Sequence, residues 1–341
     1  MRTLINRRQL LTGATGAAAA AALPACSNPD EQSGERPPGV PISPFGADST
    51  TLEVTEGIDL TGKTAFITGC NSGLGFETMR VLALRGATVI GAARSREKAE
   101  TACAQVAGDA IPVVCELTDL ASVAECGQTV RDLGMPLDML ILNAGIMALP
   151  ELEQVNGIEK QFFVNHLGHF TLTTHLLEQV RAAEQGRVVV VSSSGYAFAP
   201  ETGVDFDNLS GERDYTPWGM YGVSKLANGL FALELSQRLT NTSATANSIH
   251  PGVIDTNLGR HFPLWQRVAA KLIGWTFMKS VEAGAATQTY VATAPALSDV
   301  SGYYFADCNP VVPDNRMLDT AQAARLWDES EVLAGDYRYR T

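Results

Sequence analysis

With 341 residues, 45% of them apolar and 18% charged, the chain is globular and long enough for one large α/β domain or two small ones. A net charge of −12 and a pI near 4.9 argue against nucleic acid or an anionic membrane surface as an electrostatic partner. There is no basic run and no internal repeat, and the histidine and cysteine spacing offers no metal set.

The first residues read as a processed leader. Arg7-Arg8 precede Gln9-Leu10-Leu11 and an uncharged, Ala-rich run that ends in Leu23-Pro24-Ala25-Cys26. A positive start, a moderately apolar stretch and small residues before a cut are the parts of an export signal. The arginine pair resembles the twin-arginine signal of bacteria. Leu-x-Ala-Cys resembles a lipoprotein cleavage box, with Cys26 as the lipidated residue. An Ala-rich N-terminal helix or a membrane anchor is the competing reading, although the run is short for a span of about 20 apolar residues.

The expected organisation is therefore a signal at 1–25, a flexible tether at 26–56 rich in Pro, Ser, Gly and acids, and a folded domain at 57–341. Cleavage would leave 22 basic against 37 acidic side chains. This places the protein in the bacterial cell envelope, on the periplasmic or outer face, with the twin-arginine machinery as a partner and the cytoplasm as the alternative. Cys70, Cys103, Cys115, Cys126 and Cys308 contain no C-x-x-C pair and read as small core residues. An oxidising compartment would permit a disulfide, but spacing names none.

From Gly57 strand and helix signals alternate. Thr64–Thr68 is a short apolar strand that stops at Gly69-Cys-Asn71-Ser72-Gly73-Leu74-Gly75, and a periodic helix follows from about Phe76 to Arg85. Strand, glycine turn and helix form the context of a phosphate-binding loop, in which bare backbone and the helix N-terminus hold a pyrophosphate. The next strand, Thr88–Ala92, ends in Ala93-Arg94. An acid at that tip would accept from the ribose 2′-hydroxyl of NAD, whereas an arginine accommodates the 2′-phosphate of NADP. NADP(H) is thus favoured, with NAD(H) as second choice. A helix over 96–107, a strand at 111–115, a helix over 119–133 and a strand at 137–142 come next. That last strand ends in Asn143-Ala144-Gly145, small residues at the carboxyl edge where open α/β sheets bind ligands.

Further on, Tyr221 is the one tyrosine of eight with a lysine four residues later, Lys225. On a helix the two share a face. A lysine ammonium favours the phenolate and draws the tyrosine, with its ordinary pKa of about 10, toward the working range.

Together, T-G-x-x-x-G-x-G at 68–75, N-A-G at 143–145 and Y-x-x-x-K at 221–225 resemble the classical short-chain dehydrogenase/reductase family. TGCNSGLGFET, FVNHLGHF (163–170), YGVSKLAN (221–228) and KSVEAGAAT (279–287) are similar to its retinol-dehydrogenase and WW-domain-oxidoreductase-like branch, over about residues 57–335.

The resemblance implies a Rossmann-type doubly wound α/β fold, with a mainly parallel sheet in a single domain. It implies hydride transfer between nicotinamide and an alcohol or carbonyl carbon. Tyr221 would exchange the proton, and Lys225 would lower its pKa and bind the nicotinamide ribose. Ser193, in Ser192-Ser193-Ser194 after the strand at 187–191, would polarise the substrate oxygen, and Asn165 would hold a water linking the lysine to solvent. His166, His169 and His175 take packing and supporting roles. The segment His250-Pro251-Gly252-Val253-Ile-Asp-Thr256 would hold the nicotinamide carboxamide, with Thr256 as the contacting hydroxyl. Glu116, followed by Leu117, stands where the family commonly has an Asp near the adenine amine.

Residues 257–278 carry an apolar face that includes Phe262, Trp265 and Trp275, which the family uses as a lid over a lipophilic substrate. Domain packing, an oligomer contact or a membrane-touching helix are the competing readings of that segment. A last strand at 301–305 and a helix at 321–335 complete the expected fold. The functional expectation is an NADP(H)-preferring dehydrogenase or reductase acting on a lipophilic alcohol, aldehyde or ketone. The alternative is a non-catalytic dinucleotide-binding sensor or assembly partner in the envelope, and homo-oligomerisation stays open.

Overall fold

The computed structural model describes residues 36–254 and 279–339. Cys26, Thr256, Phe262, Trp265 and Trp275 lie outside these residues.

An eight-stranded sheet organises the domain. In chain order its strands are β1 (Thr64–Thr68), β2 (Thr88–Ala93), β3 (Ala110–Val114), β4 (Met139–Leu142), β7 (Arg187–Val191), β8 (Thr245–His250), β9 (Tyr304–Ala306) and β10 (Asn309–Val311). A two-residue hairpin, β5 (Gln154–Val155) with β6 (Ile158–Glu159), stands apart. The spatial order is β10-β9-β8-β7-β4-β1-β2-β3, and every pairing is parallel except β9 with β10. Chain order reverses about β1 and β4, and that reversal opens the crevice in which doubly wound sheets bind ligands. The fold class expected from sequence is the one observed.

Because side chains alternate across a strand, the sheet feeds two cores. Phe66, Ile90, Leu140, Leu142, Val188 and Val190 face α4 (Leu120–Asp132), α6 (Gly168–Ala182) and part of α7 (Pro217–Arg238). Ala65, Ile67, Val89, Met139, Ile141 and Val189 face α2 (Gly73–Leu84), α3 (Arg96–Cys103) and α8 (Val281–Thr293). A third cluster joins the outer side of α7 to α9 (Thr320–Ala334) through Leu226, Leu230, Met317 and Leu326. Strands covered on both faces read as continuous apolar runs, which is why Val188 to Val191 show no polar alternation.

Two expectations change. The last strand is displaced from 301–305 to Tyr304–Ala306 and turns back as a short antiparallel edge. Residues 40–56, expected within the tether at 26–56, pack on the domain instead. Val40 is buried, the Phe45 ring meets Tyr290 edge-on at 5.7 Å, and Asn309 Nδ2 donates to Phe45 O at 2.8 Å. Helix α1 (Thr51–Val54) begins with a capping box between Thr50 and Glu53. Behind it, Arg85 reaches Leu52 O at 2.9 Å and Thr55 Oγ1 at 3.0 Å. The polar composition of this stretch hides four residues, Val40, Phe45, Thr51 and Val54, that settle against α8 and α2.

Candidate active site

The glycine loop leaves β1 at Gly69, where φ is +72°, a backbone region that side chains disfavour. Gly75 is required by packing: a Cβ there would stand 2.3 Å from Gly69 O and 2.6 Å from Asn143 Nδ2. Helix α2 can therefore start directly against the turn. Its N-cap Ser72 makes no side-chain cap, its first turn carries no acid, and Asn71 and Ser72 are exposed. Uncapped amides at an exposed helix N-terminus suit a pyrophosphate, so the loop fits a dinucleotide on its own geometry.

Thr68 ties this loop to β4. Its Oγ1 accepts from the amides of Asn143 and Ala144, both at 2.9 Å, and lies 2.9 Å from His169 Nε2. His169 Nδ1 in turn donates to the Asn165 carbonyl at 3.0 Å, which leaves Nε2 as an acceptor for the threonine hydroxyl. Burial holds the His169 pKa down at about 4, so the ring stays neutral in this role. Asn143 Nδ2 donates to Thr68 O at 2.8 Å, while its Oδ1 accepts from Gln288 at 3.3 Å. The Asn143 side chain is thus a strut between strands, and the backbone of 143–145 faces the crevice.

Arg94 is exposed at the tip of β2 and pairs with no carboxylate among the described residues. Glu116 turns one carboxylate oxygen back to Thr118, accepting from its amide at 3.0 Å and its hydroxyl at 2.8 Å. Leu117 is buried, and its carbonyl would meet a Cβ on Gly168 at 2.9 Å. Pro251 and Gly252 continue from β8, and the Val253 carbonyl accepts from Lys279 N at 2.9 Å.

Asn165 sits in a single π-helical turn, Phe163–Leu167, between α5 (Lys160–Phe162) and α6. The wider turn aims its side chain back at the loop after Gly145. Oδ1 accepts from Ile146 N at 2.8 Å, and Nδ2 donates to Ile146 O and to Ser224 Oγ, both at 2.9 Å.

Helix α7 starts at Pro217 behind the N-cap Thr216 and carries Tyr221 and Lys225 on one face. Both are buried. Lys225 Nζ donates to Val191 O at 3.0 Å, and Asn228 Nδ2 donates to the same carbonyl at 3.0 Å. Ser192 Oγ donates to Lys225 O at 2.7 Å, so the end of β7 and the middle of α7 are laced together. Ser193 Oγ accepts from Gly195 N at 3.0 Å. A Cβ on Gly195 would lie 2.7 Å from Tyr221 Cε1 and 3.3 Å from Ser193 Oγ, which sets the serine and tyrosine side by side. Ser194 is exposed and its amide donates to His250 Nδ1 at 3.1 Å. Of the three serines, Ser193 is the one that shares a hydrogen bond with Tyr221.

The electrostatics differ from expectation. Burial pushes the Tyr221 pKa up to about 12, and the bond with Ser193 offsets part of that rise. Burial also pulls the Lys225 pKa down to about 8. The lysine nitrogen stands 5.8 Å from the centre of the tyrosine ring, committed to a backbone carbonyl. The proximity read from i and i+4 spacing is present, but the lowering of the tyrosine pKa is not. Desolvation is the leading cause of both shifts.

Several neighbours of Tyr221 escaped the sequence reading. Trp218 packs edge-on against its ring at 5.9 Å, and Tyr196 meets Tyr304 edge-on at 5.9 Å. The buried Tyr304 hydroxyl has no partner among the described residues. Trp218 stands three residues before Tyr221 on the helix, a spacing that would have found it. Tyr304 comes from a distant strand and left no local signal.

Comparison with known proteins agrees with this geometry. The short chain dehydrogenase family matches residues 63–267. The chain is 40% identical to human retinol dehydrogenase 14 over 294 residues, 80% of this chain and 87% of that one. It is also 40% identical to the chloroplastic short-chain dehydrogenase TIC 32 A of Brassica napus, over 85% of this chain and 94% of the other. The WW domain-containing oxidoreductase of Gallus gallus is 36% identical over 85% of this chain and 72% of its own length. Among solved structures, an uncharacterised protein from Mycobacterium paratuberculosis superposes with a TM-score of 0.68 at 33% identity, covering 84% of this chain and 97% of that one. The chain belongs to the short-chain dehydrogenase/reductase family, in the branch of the retinol dehydrogenases, and is an NAD(P)(H)-dependent oxidoreductase of alcohol and carbonyl groups.

Proposed function

We propose that the protein is an NADP(H)-preferring dehydrogenase or reductase of a lipophilic alcohol, aldehyde or ketone. The observation that carries this reading is the convergence of Ser193, Tyr221, Lys225 and Asn165 beneath the crevice that the glycine loop opens. A pure dinucleotide binder needs none of the four. The preference for NADP(H) is supported by exposed Arg94, where an acid would favour NAD(H). The lipophilic substrate is supported by the apolar side chains Phe262, Trp265 and Trp275 in the sequence and by the names of relatives such as retinol dehydrogenase 14.

The dinucleotide supplies or accepts the hydride. Around it the chain's own residues handle position and proton. Backbone amides at 71–75, with the uncapped start of α2, would hold the pyrophosphate. Ser193 would hydrogen-bond the substrate oxygen, and Tyr221 would give or take its proton through the phenolic oxygen. Lys225 and Thr256 would anchor the nicotinamide end. Asn165 pins the backbone of Ile146 through its side chain, close to Lys225, and would hold a water in the proton path.

Residues 1–25 we read as a twin-arginine export signal with lipidation at Cys26, on the support of the Arg7-Arg8 and Leu-x-Ala-Cys patterns. Tyr221→Phe keeps the ring and its packing but has no proton to exchange. It should lower turnover of a carbonyl substrate with NADPH by about 10²–10⁴-fold and leave NADPH affinity within a few-fold of wild type. Equal turnover in the two proteins would remove the assignment.

A further inference from the structure

We propose that Cys70 and Cys103 form a dithiol–disulfide site whose closure strains the glycine loop and weakens dinucleotide binding. Cys70 directly follows Gly69 in the loop, and Cys103 is the last residue of α3. Both sulfurs border Gly91 of β2 together with Met79 Sδ: a side chain's Cβ there would lie 2.9 Å from Met79 Sδ, 3.0 Å from Cys103 Sγ and 3.2 Å from Cys70 Sγ. Cys103 Sγ also sits 4.0 Å from Met79 Sδ. The bare backbone of Gly91 thus makes room for two thiols to face each other between α2 and α3.

Chain neighbours of both cysteines line a surface cleft. That cleft is about 320 Å³ and is lined by Asn71, Ser72, Phe76, Lys98, Thr101 and Ala102 among others. Asn71 and Ala102 are the chain neighbours of the two cysteines, so a small disulfide in the cleft needs only a local opening to reach them. Exposure divides the roles. Cys103 is 7% exposed whereas Cys70 is fully buried, so Cys103 is the thiol an external disulfide reaches first and the one that attacks it as thiolate.

The co-reactant is an external disulfide such as oxidised glutathione. Cys103 thiolate attacks one of its sulfurs and expels a thiolate. Cys70 then displaces the second from the mixed disulfide. The protein pair gives up two electrons and two protons, and the reagent leaves as two reduced thiols.

An S–S bond of about 2.05 Å is shorter than any thiol–thiol contact, so closure draws Cys70 toward α3. Its neighbour cannot follow freely. A Cβ on Gly69 would already stand 3.2 Å from Ala144 and Asn143, and Gly69 O is pressed against Gly75. The strain therefore falls on the amides expected to hold the pyrophosphate. This coupling rests on the functional reading above, whereas the disulfide itself does not.

The test compares the full chain in dithiothreitol and in oxidised glutathione. Free thiols are titrated under denaturing conditions, cross-linked peptides are mapped by mass spectrometry, and NADPH binding is followed by fluorescence. The expected result is a peptide joining residues 70 and 103 and an NADPH Kd raised at least threefold, both reversed by dithiothreitol. Cys103→Ala, with Cys103→Ser as a second variant, should keep the reduced-state Kd and lose the response. Absence of the 70–103 peptide, or its formation with no change in Kd, would overturn the proposal. A reduced protein that binds no dinucleotide would overturn the functional reading and the coupling, while the peptide map still decides the disulfide.

Discussion

Around the glycine loop the contacts are steric, whereas around Tyr221 they are polar. Gly69, Gly75 and the small residues at 143–145 bring backbone to within touching distance of backbone, and a single methyl group at Gly75 would collide with Gly69 O. On the other side, Lys225, Asn165 and Ser192 are held by hydrogen bonds to partners 19 to 59 residues away in sequence. The dinucleotide side is thus built by leaving atoms out, and the catalytic side by satisfying buried polar atoms. The two kinds of construction should fail differently.

The largest effect is expected at Gly75. Gly75→Ala forces overlap with Gly69 O and Asn143 Nδ2, and over-packing of this kind costs about 1–3 kcal/mol. Denaturant melts should show that loss together with weakened NADPH binding. An unaltered Kd would show that the loop tolerates a side chain and would blunt the contrast. Asn165→Ala strips Ile146 N and Ser224 Oγ of a partner, a loss of about 1–3 kcal/mol. Turnover should fall while NADPH affinity holds, and a variant that instead loses cofactor binding alone would move Asn165 to the steric side.

The polar half should also respond to pH. Lys225 has its folded pKa lowered to about 8 from an ordinary 10.5 by burial. Between those values the unfolded chain carries the extra proton, so stability gained from relieving the buried charge rises with pH across that window. Below about pH 8 both states are charged and this contribution is flat. Comparing wild type with Lys225→Met, the difference should shift in favour of wild type from pH 8 toward pH 10. A difference independent of pH would deny that the lysine is desolvated. The smallest effect belongs to the N-terminal strap, where Phe45→Leu keeps apolar bulk but loses the edge contact to Tyr290. About 0.5–1.5 kcal/mol of stability should go, with turnover unchanged.

Legibility in the sequence followed the same division. Gly69, Gly73, Gly75, Tyr221 and Lys225 were readable because each motif is local and its spacing has a direct geometric meaning. The strand and helix order was readable because apolar runs and turn residues report it. The strap at 40–56 was not, since Val40, Phe45, Thr51 and Val54 are too sparse to form a periodic pattern and gain meaning only against α8 and α2. The thiol pair at Cys70 and Cys103 was invisible for a related reason, being assembled by the return of α3 over Gly91.

The alternation of strands and helices, the glycine loop and the tyrosine–lysine pair were legible in the residues alone, because they follow from short-range periodicity and spacing, and the doubly wound dehydrogenase was implied by the resemblance of those motifs to a known family. The electrostatic state of the pair depends instead on how the chain packs. A helical spacing of four places a lysine beside a tyrosine, but whether its charge reaches the phenol depends on burial and on competing acceptors. Here the ammonium goes to the Val191 carbonyl and desolvation raises the tyrosine, and both are consequences of how β7 and α7 pack.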